Sequence, residues 1–434
     1  MISALEVLVG FFMMLGLMFL GAHVATAMMA AAVLGAMVYL GPQLLLSFGV
    51  QLWANMNNFL LTAIPLFVLL GEILLRSGLT GRMYDGLSDW LTRFPGGLLH
   101  TNIAASGVFS AVSGSSVATA ATIGTVAMPE LRKRGYDERL VLGSIAAGGT
   151  LGILIPPSVN MIIYGALANA SIGQLFAAGF VPGLLLMLLF MAMIVLMARL
   201  RPGLIGEPSE RRPLMARLAN LRHLLAPALI FIVVMGSIYL GWATPTEAAA
   251  VGVVMALAAA AFAGNLTLAL LHDAFRATVR TTAMIVLIIT TAFFLNFVLG
   301  VLGVPQALTQ AVTAFGTSAI VFIWLLVPMY FVLGCFLETI AMMVATVPIM
   351  LPLLAHFGID PVWFGIFLVL MMELSLITPP VGMNLYVVQG VRGGGPVTDV
   401  FVGVLPFILA LLIMIVLVIV FPGIVMSVPQ WLYG

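Results

Sequence analysis

Apolar runs of about 20 residues recur along the chain. They lie at 2–20, 22–40, 58–77, 137–170 and 174–199, then at 223–241, 244–263, 279–301, 361–390 and 399–421. Each is long enough to cross a hydrocarbon core of ~30 Å as a helix. Shorter amphipathic pieces fall near 43–56, 79–94, 265–278 and 305–316. Two further apolar stretches, 98–130 and 318–354, are interrupted at their centres by small and polar residues. A membrane β-barrel would instead show alternating segments of ~10 residues. The pattern predicts an all-α polytopic membrane protein with ten spanning helices and two re-entrant hairpins.

Composition agrees. The chain is 63% hydrophobic and 7% charged, whereas soluble domains carry about 25% charged residues. The lone Cys335 excludes an internal disulfide. The first run begins almost at Met1, contains Glu6 and has no basic flank, so it reads as a retained helix rather than a cleaved signal.

The charges orient the spans. The soluble-looking segment 199–222, basic and proline-containing, belongs in the cytoplasm by the positive-inside rule. If every span crosses once and the hairpins re-enter, all 16 Lys and Arg fall on that side. Both termini are then extracytoplasmic.

The halves resemble each other. The Pro-Pro pair at 156–157 recurs at 379–380, and PEL at 129–131 matches PLL at 352–354, both at an offset of 223. YLGWATPTEAAA at 239–250 echoes FLGAHVATAMMA at 19–30, and Pro182 returns as Pro406. The expected organisation is a first repeat over 1–199, a cytoplasmic linker over 200–222 and a second repeat over 223–434. Five crossings per half invert the second copy. Inverted repeats with interrupted helices mark secondary transporters whose site lies at the midplane.

Candidate chemistry follows from the interruptions. Arms of about 14 residues reach only ~20 Å, which places the tip Ser113-Gly114-Ser115-Ser116 and its counterpart Phe336-Leu337-Glu338-Thr339 inside the membrane. Two consecutive prolines in mid-helix leave carbonyls without intrahelical donors. Such carbonyls, with hydroxyls nearby, are hard oxygen ligands for a small cation, and half-helix N-termini face anions. A first cation site is expected at Ser113, Ser116, Gly152, Ile155 and Ser158. Adding the offset gives a second at Phe336, Thr339, Ser375, Thr378 and Val381, largely through carbonyls. Ser115, Thr119, Thr150, Asn160, Glu338 and Asn384 lie between them, facing an anionic substrate. The competing reading of the small and hydroxyl residues is close helix packing alone, which leaves the duplicated Pro-Pro breaks unexplained.

Proton coupling needs a titratable group on the pathway. The first tip has none and the second has Glu338, so two oxygen-rich sites with one acid favour sodium. Glu72, Glu247 and Glu373 read as hydrogen-bonded structural carboxyls. The five histidines are dispersed without metal-ligand spacing and read as interface or loop residues. A serine hydrolase would need a base within hydrogen-bond reach. His100 is more than ten residues from the tip and no Gly-x-Ser-x-Gly elbow is present, so no enzyme is expected.

The stretches SGSSVATAATIGTVAMPEL, GGTLGILIPPSVNMIIYG, ETIAMMVATVPIMLPLL and ITPPVGMNLYVVQ resemble the large membrane subunit of tripartite ATP-independent periplasmic (TRAP) transporters. The resemblance runs over essentially the whole chain. It implies an elevator-type member of the ion-transporter superfamily in the bacterial inner membrane, with periplasmic termini and two Na+ sites. It implies three partners besides the lipid bilayer: a small four-helix membrane subunit, here expected as a separate chain, a periplasmic substrate-binding protein and an organic acid. No nucleic acid is implied. The segments 43–56 and 265–278 then serve as horizontal arms. A free-standing sodium/dicarboxylate carrier of the same superfamily is the alternative, and a channel or scaffold subunit fits the duplicated unit less well.

Overall fold

The computed structural model describes residues 4–207, 213–314 and 316–434. Arg211 and Arg212 of the basic linker lie outside the described residues. So do the first residues of the opening run and residue 315 near the end of the 305–316 piece.

Among the described residues the chain forms 21 α-helices and three short 3₁₀ turns. The first half carries α1 (Ala4–Phe19), α2 (Val24–Tyr39), α3 (Phe48–Met56), α4 (Ala63–Arg76) and α5 (Leu79–Leu91). It continues with α6 (Leu98–Ser113), α7 (Ser116–Lys133), α8 (Glu138–Leu154), α9 (Val159–Ala168) and α10 (Ile172–Leu200). The short α11 (Leu214–Asn220) lies in the linker. The second half carries α12 (Arg222–Tyr239), α13 (Pro245–Phe262), α14 (Leu268–Val301), α15 (Val304–Ala314) and α16 (Ala319–Gly334). It ends with α17 (Thr339–Phe357), α18 (Pro361–Ile377), α19 (Met383–Arg392), α20 (Thr398–Val420) and α21 (Gly423–Tyr433).

Local chemistry sets many boundaries. Helix N-termini leave orphan N–H groups that side-chain oxygens satisfy. Asp137, Ser158, Thr267 and Asp360 do this for α8, α9, α14 and α18. Glu247, predicted as a structural carboxyl, closes a capping box with Thr244 at the start of α13. Glu72 pairs with Arg76 one turn on, at 3.1 Å.

Among the described residues, seven helices are by length and composition apolar enough to cross a membrane, or eight when the bent pair α8–α9 is taken as one span. Ten were predicted. The difference arises partly because α1 and α2, at 16 residues each, span only ~24 Å. The hairpin arms are longer than predicted, at 16 and 18 residues for α6 and α7 and 16 and 19 for α16 and α17. Arm length therefore does not by itself forbid a crossing. Two pieces differ in extent: the 265–278 segment runs without a break into the following span as α14, and α21 continues past the last predicted span.

Packing places α8 at the centre, against α6, α7, α10, α18, α19 and α20. A second group joins α2 to α14 and α4 to both α13 and α14. Between the halves, α7 packs on α19 and α17 packs on α9.

Candidate functional site

The first hairpin turns within two residues. Gly114 ends α6 in the left-handed region (φ 61°), where a side chain is strained, and Ser115 caps α7 by accepting the Ala118 N–H. This turn presses its backbone onto the break in α8–α9. A Cβ on Gly114 would lie 2.8 Å from the Pro157 carbonyl oxygen, and one on Gly152 would lie 2.7 Å from both Ser115 O and Ser116 N. At the hairpin's base the Tyr136 hydroxyl accepts the Leu98 N–H at 3.1 Å, and burial raises the Tyr136 phenol above its usual range. His100, predicted at an interface or loop, is buried beside that base with Nε2 2.8 Å from the Pro95 carbonyl.

The break itself bends by 40°. Pro156 and Pro157 remove the N–H groups that would serve the carbonyls of Gly152 and Ile153. Ser158 compensates for one loss: its Oγ donates to the Ile153 carbonyl at 2.7 Å and accepts the Met161 N–H. The Gly152 carbonyl loses its helical donor to Pro156, and the Gly152 Cα faces the Ser115–Ser116 peptide of the tip. Ser116 Oγ donates to the Thr150 carbonyl at 3.4 Å, and Ser113 and Thr119 share a hydroxyl contact of 3.2 Å. Thr119 also donates to the Ser115 carbonyl, and Thr150 to that of Ala147.

The hairpin and break thus bring together Ser113, Ser115, Ser116, Thr119, Thr150, Gly152 and Ser158. Ile155, also expected there, packs instead against Gly183 of α10 and Gly107 of α6. The Ser113 carbonyl approaches α4, where a Cβ on Gly71 would meet it at 3.0 Å.

The second unit uses different atoms for the same meeting. Ser375 Oγ donates to the Gly334 carbonyl at 3.0 Å, and Cys335 Sγ lies 3.7 Å from the Pro379 carbonyl. Glu338 caps α17: Oε2 accepts the N–H groups of Ile340 and Ala341 at 3.1 and 3.3 Å, and Oε1 accepts the Thr339 hydroxyl at 3.0 Å. It holds the position that Ser115 holds in the first unit. Thr378 donates to the Leu374 carbonyl and accepts the Gly382 N–H. Phe336 stacks edge-on against Phe19 at 5.1 Å, and Val381 is exposed, so these two offer the site only backbone oxygens.

Asn384 crosses between the halves. Fully buried, it donates to the Ala146 carbonyl on α8 at 3.1 Å, and its Oδ1 has no partner. Asn160 is also buried, with its Nδ2 unpartnered. Glu373 departs from the sequence reading: it is fully buried, and neither carboxyl oxygen has a hydrogen-bond partner among the described residues. The helix that carries it is apolar all round, and it meets no donor there.

Two clusters escaped sequence reasoning. Tyr84 donates to Asn102 at 2.7 Å and Asn102 to Ser144 at 2.9 Å, tying α5, α6 and α8 together. A lone Asn in an apolar arm was the available signal. The other joins Arg132, Glu138, Arg139, Arg392 and Asp399, side chains whose proximity no local pattern encodes.

Two hairpins, each turned onto an interrupted helix inside an apolar helical bundle, define a multi-pass membrane transport protein. The model of the tripartite ATP-independent periplasmic transporter DctM component matches residues 11–424, and the chain belongs to that family. It is 35% identical over 392 residues to the C4-dicarboxylate TRAP transporter large permease protein DctM of Pseudomonas aeruginosa, covering 90% of this chain and 91% of that protein. It is 33% identical to the sialic acid TRAP transporter large permease protein SiaM of Vibrio cholerae, covering 97% of each. These relatives are permeases, and the chain is a transport protein rather than an enzyme. Its fold is similar to that of the Alcanivorax borkumensis YdaH transporter, with a TM-score of 0.64 at 16% identity over 91% of this chain and 90% of that one.

Proposed function

We propose that the chain is the large membrane subunit of a sodium-coupled importer of an organic acid, fed by a periplasmic binding protein and completed by a small membrane subunit. The observation that carries this reading is the contact of each hairpin tip with the Pro-Pro break of its own half, Gly114 with Pro157 and Cys335 with Pro379. Around the first contact the Ser116 and Ser158 hydroxyls meet the carbonyls of Thr150 and Ile153, and around the second the Ser375 hydroxyl meets that of Gly334. That donor set suits a small hard cation. Half-helix N-termini at Ser115 and Ser158, with the unpartnered Nδ2 of Asn160, supply the complementary surface for a carboxylate.

The reading includes two inverted repeats over 1–199 and 223–434, joined by a cytoplasmic linker, in the bacterial inner membrane with both termini periplasmic. Reciprocal packing supports it: α7 on α19 answers α17 on α9, and α2 on α14 answers α13 on α4. In an elevator cycle the hairpins and broken helices move as one body past α2, α4, α13 and α14. The Ser113 carbonyl against Gly71 is one point of that seam. C4-dicarboxylates and sialic acid, for which the two relatives are named, are the first substrates to test, since both present a carboxylate.

Reconstitution into proteoliposomes tests the reading. Uptake of labelled succinate or sialic acid is expected only with an inward sodium gradient, the small subunit and a loaded binding protein. Sodium-driven uptake by the chain alone would favour the free-standing carrier, and sodium-independent electrodiffusive flux would favour a channel.

A further inference from the structure

A groove of about 270 Å³ opens between the first hairpin arm, α10 and α12, lined by Gly107, Ile155, Phe180, Met187, Pro227 and Phe231 among others. Every lining side chain is apolar, and Phe180 and Ala228 are exposed at its mouth. Ile155 belongs to the first break, so the groove lies at membrane depth, where hydrocarbon is the available filler. At Pro227 it meets a second crevice lined by Leu79, Thr80 and Met83 of α5. Beside that junction stand cations. Arg222 and His223 open α12, and Arg82 neighbours Met83 on α5. Arg82 and Arg222 both lie close enough to act electrostatically on His223, as does Asp85. Both arginines are exposed.

An apolar slot with a pair of exposed arginines near its α5–α12 end matches one ligand chemistry, an anionic headgroup on a hydrocarbon tail. We propose that this groove is a phospholipid site. One acyl chain lies between α6, α10 and α12, and the phosphate sits against Arg82 and Arg222 in the leaflet on the linker side. Its tail contacts Ile155, so the bound lipid touches the break that the first hairpin tip rests on. The site stands independently of the transport reading, because lipid binding is measurable without transport.

The experiment is native mass spectrometry of the full chain in detergent, titrated with dioleoyl phosphatidylglycerol or dioleoyl phosphatidylethanolamine. Wild type is expected to retain phosphatidylglycerol preferentially. Replacing Arg82 and Arg222 together with alanine should weaken that binding about thirtyfold, at ~1 kcal/mol per surface arginine. Ala228→Trp, which fills the mouth, should remove the high-affinity adduct of both lipids, with thermal unfolding confirming that the variant is folded. Equal retention of the two lipids by wild type, or an unchanged adduct in Ala228→Trp, would overturn the proposal. Displacement by free glycerol phosphate would overturn it in favour of a soluble-anion site. Displacement by the small membrane subunit would overturn it in favour of a protein helix.

Discussion

Arg392 donates to Glu138 at 2.7 Å across 254 positions of chain, and through the same Nη2 to Asp399 at 2.9 Å. Glu138 in turn accepts Arg132 at 2.6 Å, and Asp399 accepts Arg139 at 2.9 Å. The network clamps the ends of α7, α8, α19 and α20, which belong to both halves of the chain. Arg392 is its most buried member, with 6% of its side chain exposed. Removing it leaves two carboxylates facing each other without their shared cation. Arg392→Ala is therefore expected to lower the thermal unfolding temperature in detergent by about 2–4 °C. A double-mutant cycle of Arg392→Ala with Glu138→Ala should show coupling between the two positions, and a cycle with none would show the pair to be inert.

The close approach at Gly71 makes a sharper demand on motion than on stability. A Cβ there would sit 3.0 Å from the Ser113 carbonyl oxygen and 3.1 Å from Ser113 Cα, both backbone atoms that yield little. Crowding of this kind costs about 1–3 kcal/mol in a packed interior. If α4 is the surface past which the hairpin moves, Gly71→Val should slow initial uptake in proteoliposomes far more than it lowers the unfolding temperature. A variant that is destabilised yet transports at the wild-type rate would remove α4 from the seam.

Glu338 separates two roles that the sequence left open. Its carboxylate is already engaged by two backbone N–H groups and one hydroxyl, the pattern of a helix cap. Ser115 fills the equivalent position with a neutral cap. Glu338→Ser should therefore preserve the fold and sodium-dependent uptake, whereas Glu338→Ala should cost about 1 kcal/mol of stability through the lost cap. Uptake in Glu338→Ser that loses its dependence on an imposed proton gradient would instead assign Glu338 a proton-carrying role.

Local signals made much of this architecture legible. Pro-Pro in mid-helix leaves no alternative to a break, and α8 and α18 end just before their proline pairs, at Leu154 and Ile377; Gly114-Ser115 after an apolar run likewise coincides with the turn from α6 to α7. The 223-residue offset also located the equivalence of Ser115 and Glu338, although not its meaning. What escaped depended on partners distant in sequence or on the absence of a breaker. Nothing between Thr278 and Arg280 stops a helix, so the amphipathic 265–278 piece continues as α14. Glu373 looked like a hydrogen-bonded carboxyl, and only the packed neighbours of α18 show that no donor reaches it. The Arg392 network draws on four helix ends and has no local signature.

The strongest test of the two proposed cation sites replaces one residue in each. Ser116 lies between its tip and the Thr150 carbonyl, within the space that Gly152 keeps open, and Thr339 stands at the first turn of α17 beside Glu338. Both are nearly inaccessible, at 4% and 6% exposure, so a larger side chain at either position displaces the oxygens around it. Ser116→Leu and Thr339→Leu are each expected to abolish sodium-dependent uptake while the purified variants still unfold cooperatively. Because the two units use different atoms to join tip and break, the substitutions should also differ in kind. Ser116→Leu parts a hairpin from its break at a backbone contact, and Thr339→Leu disturbs a hydroxyl bonded to the Glu338 cap. Sodium titrations of the two variants should each show the loss of one binding event with the other retained. Full sodium coupling in either variant would defeat the assignment of a cation to that tip.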